Sequence, residues 1–130
     1  MNLPKIYKDK DADLDQINGK KIGIIGFGNQ GRAQALNLKD SGVDVYVGIG
    51  EDSISRGKVE VEGLICLSIN EAVKKCDIIS ILVPDQVMGK VYKTEIKPYL
   101  HDGHALLFSH GYNIHYKIIQ PPMNLSLIHI

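Results

Sequence analysis

The sequence predicts an α/β fold, a doubly wound and mostly parallel sheet with helices on both faces. Three observations carry this. Ile- and Val-rich runs of strand length recur along the 130 residues, helical segments separate them, and a Gly-rich turn joins the first run to the first helix. Parallel neighbours need a crossover connection, so strands alternating with helices imply helices laid over the sheet. Right-handed crossovers then distribute those helices over both faces.

The elements follow in order. A polar leader, MNLPKIYKDKDADLDQ, opens the chain and is too charged for a signal peptide. Residues 21–27 (KIGIIGF) form an Ile-rich run closed by Gly, as expected of a strand buried on both faces. Residues 29–40 (NQGRAQALNLKD) continue as a helix, with Ala33, Leu36 and Ala35 toward the sheet and Gly42 placed for a left-handed C-terminal cap. The alternation then repeats with a strand at 43–49 (VDVYVGI), a helix near 55–62, the run GLICL, the segment INEAVKKC and a strand at 77–84 (DIISILVP). The segment DQVMGKVYKTEIKPYL leads to the run HALLFSH at 104–110, and a last helical stretch at 113–119 precedes Pro121 and Pro122.

Composition sets the class. Apolar residues make up 44%, charged residues 23%, and 15 Lys+Arg balance 15 Asp+Glu, which gives no excess positive field to attract nucleic acid or anionic lipid. One domain of this size buries roughly two-thirds of its unfolded surface and needs no staples. Cys66 and Cys76 have neither CxxC spacing nor a secretory context, so reduced, buried thiols are expected. No apolar run reaches the roughly 20 residues that span a bilayer, and a soluble, cytoplasmic protein is expected.

Gly26-Phe27-Gly28-Asn29-Gln30-Gly31 is a G-x-G-x-x-G that follows the first strand and opens the first helix. Gly26 permits a tight turn, Gly28 admits a pyrophosphate close to the backbone, and Gly31 lets the helix pack on the sheet. The anion would lie on free N–H groups at the positive end of the helix. In this setting the motif predicts dinucleotide binding. The end of the second strand chooses between cofactors. There Ser53 and Ser55 can hydrogen-bond a 2′-phosphate and Arg56 can supply charge, while Glu51 can instead take a 2′-hydroxyl. The serines can equally cap the second helix.

The leader KIYKDKDADL, the segment KKIGIIGFGNQGRAQALNLKDSGVDVYVG, the strand end ILVPDQV and the run FSHGYNIHY together resemble ketol-acid reductoisomerase, in this order over about residues 5–122. The resemblance implies the NADP-binding Rossmann domain of an enzyme of valine and isoleucine synthesis. That enzyme joins a magnesium-dependent alkyl shift on 2-acetolactate or 2-aceto-2-hydroxybutyrate to hydride transfer from NADPH, giving a 2,3-dihydroxy acid. It further implies that Phe27, Gly28, Asn29 and Gln30 line the pyrophosphate turn, that Ser53 and Ser55 contact the 2′-phosphate, and that Asp85, Gln86, Val87 and Met88 border the adenosine and ribose. His110 falls on the family's active-site histidine, and the full-length enzyme is expected to be a homo-oligomer. On residues alone His110 is a strand-end imidazole able to assist proton transfer near neutral pH. His101, His104 and His115 are expected to be loop residues, since HDGH has the composition of a turn and no Cys or carboxylate cluster completes a metal site.

Two departures from the family pattern stand out. NADP-using members usually carry Arg or Lys where this chain has Gly50, which removes a partner for phosphate that Arg56 would have to replace. The family's later strand, Gly-Pro-Gly stretch and helical magnesium-binding domain have no counterpart in these residues, so residues 1–124 are expected to be a partial dinucleotide-binding domain that binds cofactor without turnover. Residues 125–130 (LSLIHI) can be encoded by CTG TCT CTT ATA CAC ATC, a transposase end used in preparing sequencing libraries, and are expected to be a non-native tail outside the fold. The sheet would then lack a sixth strand and expose its C-terminal edge. A competing reading of a different class is a non-catalytic NAD(P)-binding module or sensor, which has no use for an imidazole at His110.

Overall fold

The Ile-rich run after the leader is β1 (Lys21–Ile25), whose last four residues are all buried, as a strand covered on both faces requires. The computed structural model to which it belongs describes residues 3–129, with the backbone alone for His129. Then follow α1 (Asn29–Asp40), β2 (Asp44–Gly48), α2 (Ser55–Val61), β3 (Ile65–Leu67), α3 (Ile69–Lys75), β4 (Ile78–Ile81), α4 (Asp85–Val91), β5 (Ala105–Phe108), α5 (Tyr112–His115) and β6 (Ser126–His129). All strand pairs are parallel, in the order β3-β2-β1-β4-β5-β6. The chain therefore winds outward from β1 in one direction, returns, and winds outward from β4 in the other.

Strand alternation divides the core in two. Ile22 and Ile24 of β1 and Val45 and Val47 of β2 pack with Ala35 of α1 and Val59 of α2. Ile25, Tyr46, Ile79 and Ile81 pack on the opposite face with Ala72 and Val73 of α3 and Met88 of α4. A side-chain period of two on each strand puts neighbouring residues into different layers, so both faces need apolar residues and the strands are continuous apolar runs.

Several expectations change in detail. The buried face of α1 is Gly31 and Ala35, with Leu36 and Leu38 half-buried, and Ala33 is exposed. Gly42 does adopt the left-handed conformation, with φ of 78°, just past that helix. Beyond α4 the chain widens into a π-helical turn at Tyr92–Ile96 and then tightens into a 3-10 turn at Lys97–Tyr99. The expected last helix over 113–119 is only Tyr112–His115, because Lys117 takes φ of 58° and ends it. That reversal lets Ile119 N–H bond Asn113 O at 3.0 Å and turns the Ile119 side chain into the core.

The larger correction concerns the C-terminal edge. Residues 126–129, expected outside the fold, pair in parallel with β5 in the register Ala105 to Ser126 through Phe108 to His129. The edge of β5 is thus covered and the sheet has six strands. An aliphatic segment of high β-propensity beside an unpaired ladder satisfies both. Leu127 and Ile128 nevertheless stay partly exposed, at 44% and 40%.

Candidate functional site

The Gly-rich turn lies where the strand order reverses. Gly26 follows β1 directly, takes φ of 104°, and lies so close to the end of β4 that a Cβ on it would be 2.8 Å from Leu82 O. Only glycine meets both demands. At Gly31 a Cβ would be 2.5 Å from Gly26 O, so the first turn of α1 rests directly on the loop beneath it. Gly28 differs, because a Cβ there would meet nothing within 4 Å. Its bare backbone faces open space at the N-cap of α1, a helix with no side-chain cap and no acidic residue in its first turn. That combination fits a pyrophosphate, which needs close backbone approach and uncompensated N–H donors.

Two clefts border this turn, and a third lies beyond the end of β2. The first, between α1 and α2, is lined by Phe27, Gly28, Asn29, Arg32, Ser55 and Lys58. The second lies beyond β4 and β5 and brings together Gln30, Asp85, Met88, Ser109 and His110. The third follows β2 and is lined by Gly50, Glu51, Asp52, Ser53 and Glu95 among others. Residues far apart in sequence, Gln30 and His110 above all, thus border one space because β1, β4 and β5 end side by side.

The expected site residues fall unevenly around these clefts. Ser53 Oγ accepts a hydrogen bond from Ser55 N–H at 3.2 Å in the turn before α2, but the N-cap of that helix is Ile54 and no side chain caps it, so neither serine is the helix cap. Ser55 faces the cleft with the cations Arg32 and Lys58, whereas Ser53 faces the cleft with three carboxylates. Arg56 borders neither and lies within electrostatic reach of Cys66 and Glu71. Within the α4 quartet, Asp85 and Met88 border the His110 cleft. Gln86 lines a separate cleft with Lys90 and Tyr92, and Val87 is exposed. Met88 is buried and its sulfur receives Asn113 Nδ2 at 3.3 Å.

His110 lies two residues beyond β5 with its side chain largely exposed. Its Nδ1 accepts from Tyr112 N–H at 3.3 Å and stands 3.8 Å from Asp85 Oδ2. The imidazole is therefore oriented by its own loop, and Nε2 is the nitrogen left to meet a ligand. Arg32 and Lys58 were not singled out in the sequence, although Lys58 follows Ser55 by three residues and so shares its helical face.

Elsewhere the ionisable groups are structural. Burial pushes the Cys76 thiol up to about 12, and burial also raises that of half-buried Cys66. His104, expected in a loop, is buried, and burial lowers its pKa. Among the described residues no group of three or more His, Cys, Asp and Glu could hold a metal ion. None of the described helices is long and apolar enough to cross a membrane.

A doubly wound sheet with a G-x-G-x-x-G turn at its switch point defines a dinucleotide-binding domain of the Rossmann type. Comparison with known proteins narrows the class. The family described as acetohydroxy acid isomeroreductase, NADPH-binding domain, matches residues 16–130, and the chain belongs to that family. A ketol-acid reductoisomerase (NADP(+)) of Methanocaldococcus jannaschii is 50% identical over 125 residues, covering 96% of this chain and 38% of the relative. The chain thus spans well under half of that relative's length. The solved structure of an NADH-preferring ketol-acid reductoisomerase from an uncultured archean superposes with a TM-score of 0.94 at 40% identity, over 97% of this chain and 40% of that one. A semialdehyde dehydrogenase NAD-binding protein from Cupriavidus necator shares the fold, with a TM-score of 0.74 at 24% identity, over 85% of this chain and 40% of that one.

Proposed function

We propose that this NADPH-binding domain serves a ketol-acid reductoisomerase, which rearranges 2-acetolactate or 2-aceto-2-hydroxybutyrate and reduces the product to a 2,3-dihydroxy acid. The observation that carries the reading is the juxtaposition of the Gly26–Gly31 turn and His110 across the ends of β1, β4 and β5. The bound NADPH supplies the hydride. Gly28 and the first N–H groups of α1 would hold the pyrophosphate, Phe27, Asn29 and Gln30 would flank it, and Asp85 and Met88 of α4 would border the adenosine and ribose. Ser55 meets the 2′-phosphate end on the cationic side, and Ser53 supports it from the neighbouring turn by accepting Ser55 N–H.

His110 acts on the substrate side. Tyr112 N–H fixes its Nδ1, so Nε2 holds or releases a proton at a substrate oxygen. The family's alkyl shift is magnesium-dependent, but the described residues offer no ligand group for the ion, so the part of this domain is to hold the cofactor and present the imidazole. The same reading makes the whole enzyme a cytoplasmic homo-oligomer.

Titrating the purified chain into NADPH and into NADH, followed by cofactor fluorescence, tests the reading. Micromolar binding supports it, and no binding of either below about millimolar would remove it together with the sensor alternative. His110→Gln in a version spanning the relatives' full length separates the two, since it should abolish turnover and spare cofactor affinity. A sensor would show no turnover to lose.

A further inference from the structure

The cleft between α1 and α2 carries charges to which the proposed function gives no task. Lys58 lies one helical turn beyond Ser55, is exposed, and its ammonium makes no hydrogen bond or ion pair among the described residues. Across the cleft, Arg32 Nε donates to Glu62 Oε1 at 2.7 Å, and its Nη2 donates to the same oxygen. Lys39 Nζ donates to Glu62 O at 3.0 Å, which fixes the residue after α2 against α1.

We propose that Lys58 and Arg32 select a 2′-phosphorylated dinucleotide, and that Glu62 sets the strength of this selection by competing with the phosphate for Arg32. The inference rests on the cofactor reading above and deepens it. Two donors of Arg32 converge on one carboxylate oxygen, so its remaining N–H groups stay available to a second anion. The two side chains are 55% and 30% exposed, and an ion pair so solvated gains little, which lets a phosphate dianion share the guanidinium.

The alternative approach to the phosphate is blocked by charge. On the Ser53 side, Glu51, Asp52 and Glu95 border the space, and three carboxylates repel a dianion. Gly50 supplies no cation there, and Arg56 borders neither cleft. Ser55, Lys58 and Arg32 therefore form the only cationic approach among the described residues that also adjoins Gly28.

The test compares NADPH and NADH binding by the whole chain and its Lys58→Ala and Glu62→Gln variants, with 2′,5′-ADP and 5′-AMP as competitors. Lys58→Ala should weaken NADPH and 2′,5′-ADP about tenfold and leave NADH and 5′-AMP within about twofold. Glu62→Gln should shift the NADPH/NADH ratio the other way, by about threefold. If Glu62 only ties α2 to α1, its variant lowers thermal stability and leaves that ratio unchanged, which overturns its part. Equal losses for both cofactors in Lys58→Ala overturn the rest. Should the unaltered chain bind neither cofactor, the broader reading fails and this inference falls with it; binding of both with a ratio indifferent to Lys58 and Glu62 sinks this inference alone.

Discussion

His104 Nε2 stands 3.0 Å from the backbone carbonyl of Cys76, while its Nδ1 accepts the His101 N–H at 3.0 Å. An acceptor at Nδ1 leaves the proton on Nε2, which must then donate to Cys76 O. The neutral ring thereby ties the start of β5 to the end of α3, two segments 28 residues apart. Protonating Nδ1 would break one of these bonds and place a charge in the core.

Stability should therefore depend on pH through His104. Burial lowers its folded pKa below the ordinary 6.5, so the unfolded chain binds the proton more readily. The contribution is complete above about pH 6.5 and is lost as pH falls from there through the depressed folded value. Urea unfolding at pH 7.5 and at 5.5 should show this decline. His104→Asn, which cannot titrate, should flatten the slope and cost about 1–3 kcal/mol at the higher pH. An unchanged slope would mean that other groups govern acid sensitivity.

The motif glycines should separate folding from binding. Gly31→Ala places a methyl 2.5 Å from Gly26 O, a backbone atom that cannot yield, and should destabilise by about 1–3 kcal/mol. Gly28→Ala meets nothing within 4 Å and sits at φ of −76°, so stability should stay within about 0.5 kcal/mol. Its methyl would project into the proposed pyrophosphate site, and NADPH affinity should fall about tenfold or more. Thermal unfolding and cofactor titration of both variants measure this. A Gly28→Ala protein that binds normally would place the pyrophosphate elsewhere.

Much of this was legible in the sequence because the governing signals are local. A run such as KIGIIGF followed by G-x-G-x-x-G states a strand, a turn and a helix in consecutive residues, and the structure follows it. What escaped depends on contacts distant along the chain. HDGH has the composition of a turn, and only the end of α3 makes His104 a buried donor. The residues 126–129 become a strand only because β5 offers an edge. Lys117 ends α5 through a left-handed backbone that sequence gives no reason to expect of lysine. At the site, Ser55 and Ser53 are two residues apart, and the start of α2 turns them toward different clefts.

The two thiols should label at very different rates. With its pKa pushed up to about 12 and its side chain buried, Cys76 has almost no thiolate near neutral pH and should react only as the domain unfolds. Cys66 is half-buried and should react first, although burial slows it too. Disulfide-exchange labelling should show one slow phase at pH 8 and a second that accelerates with urea. Two equal rates in native buffer would contradict the burial of Cys76.

Replacing Gly50 tests how the domain tells cofactors apart. A Cβ there meets nothing within 4 Å and Gly50 is exposed, so Gly50→Arg should fold normally. Its guanidinium would enter a space bordered by Glu51 and Asp52, and those carboxylates will compete with any phosphate for it. If Ser53 marks the phosphate position, Gly50→Arg should raise NADPH affinity over NADH about tenfold, because it adds a charge-assisted bond where none exists. If Ser55 and Lys58 mark it, the gain should be small, and it should stay small in a Lys58→Ala background, since an arginine held among the Ser53-side carboxylates cannot replace a cation in the cleft between α1 and α2. The NADPH/NADH ratio in the single and double variants decides between the two positions, and a large gain in both would move the phosphate to the Ser53 side.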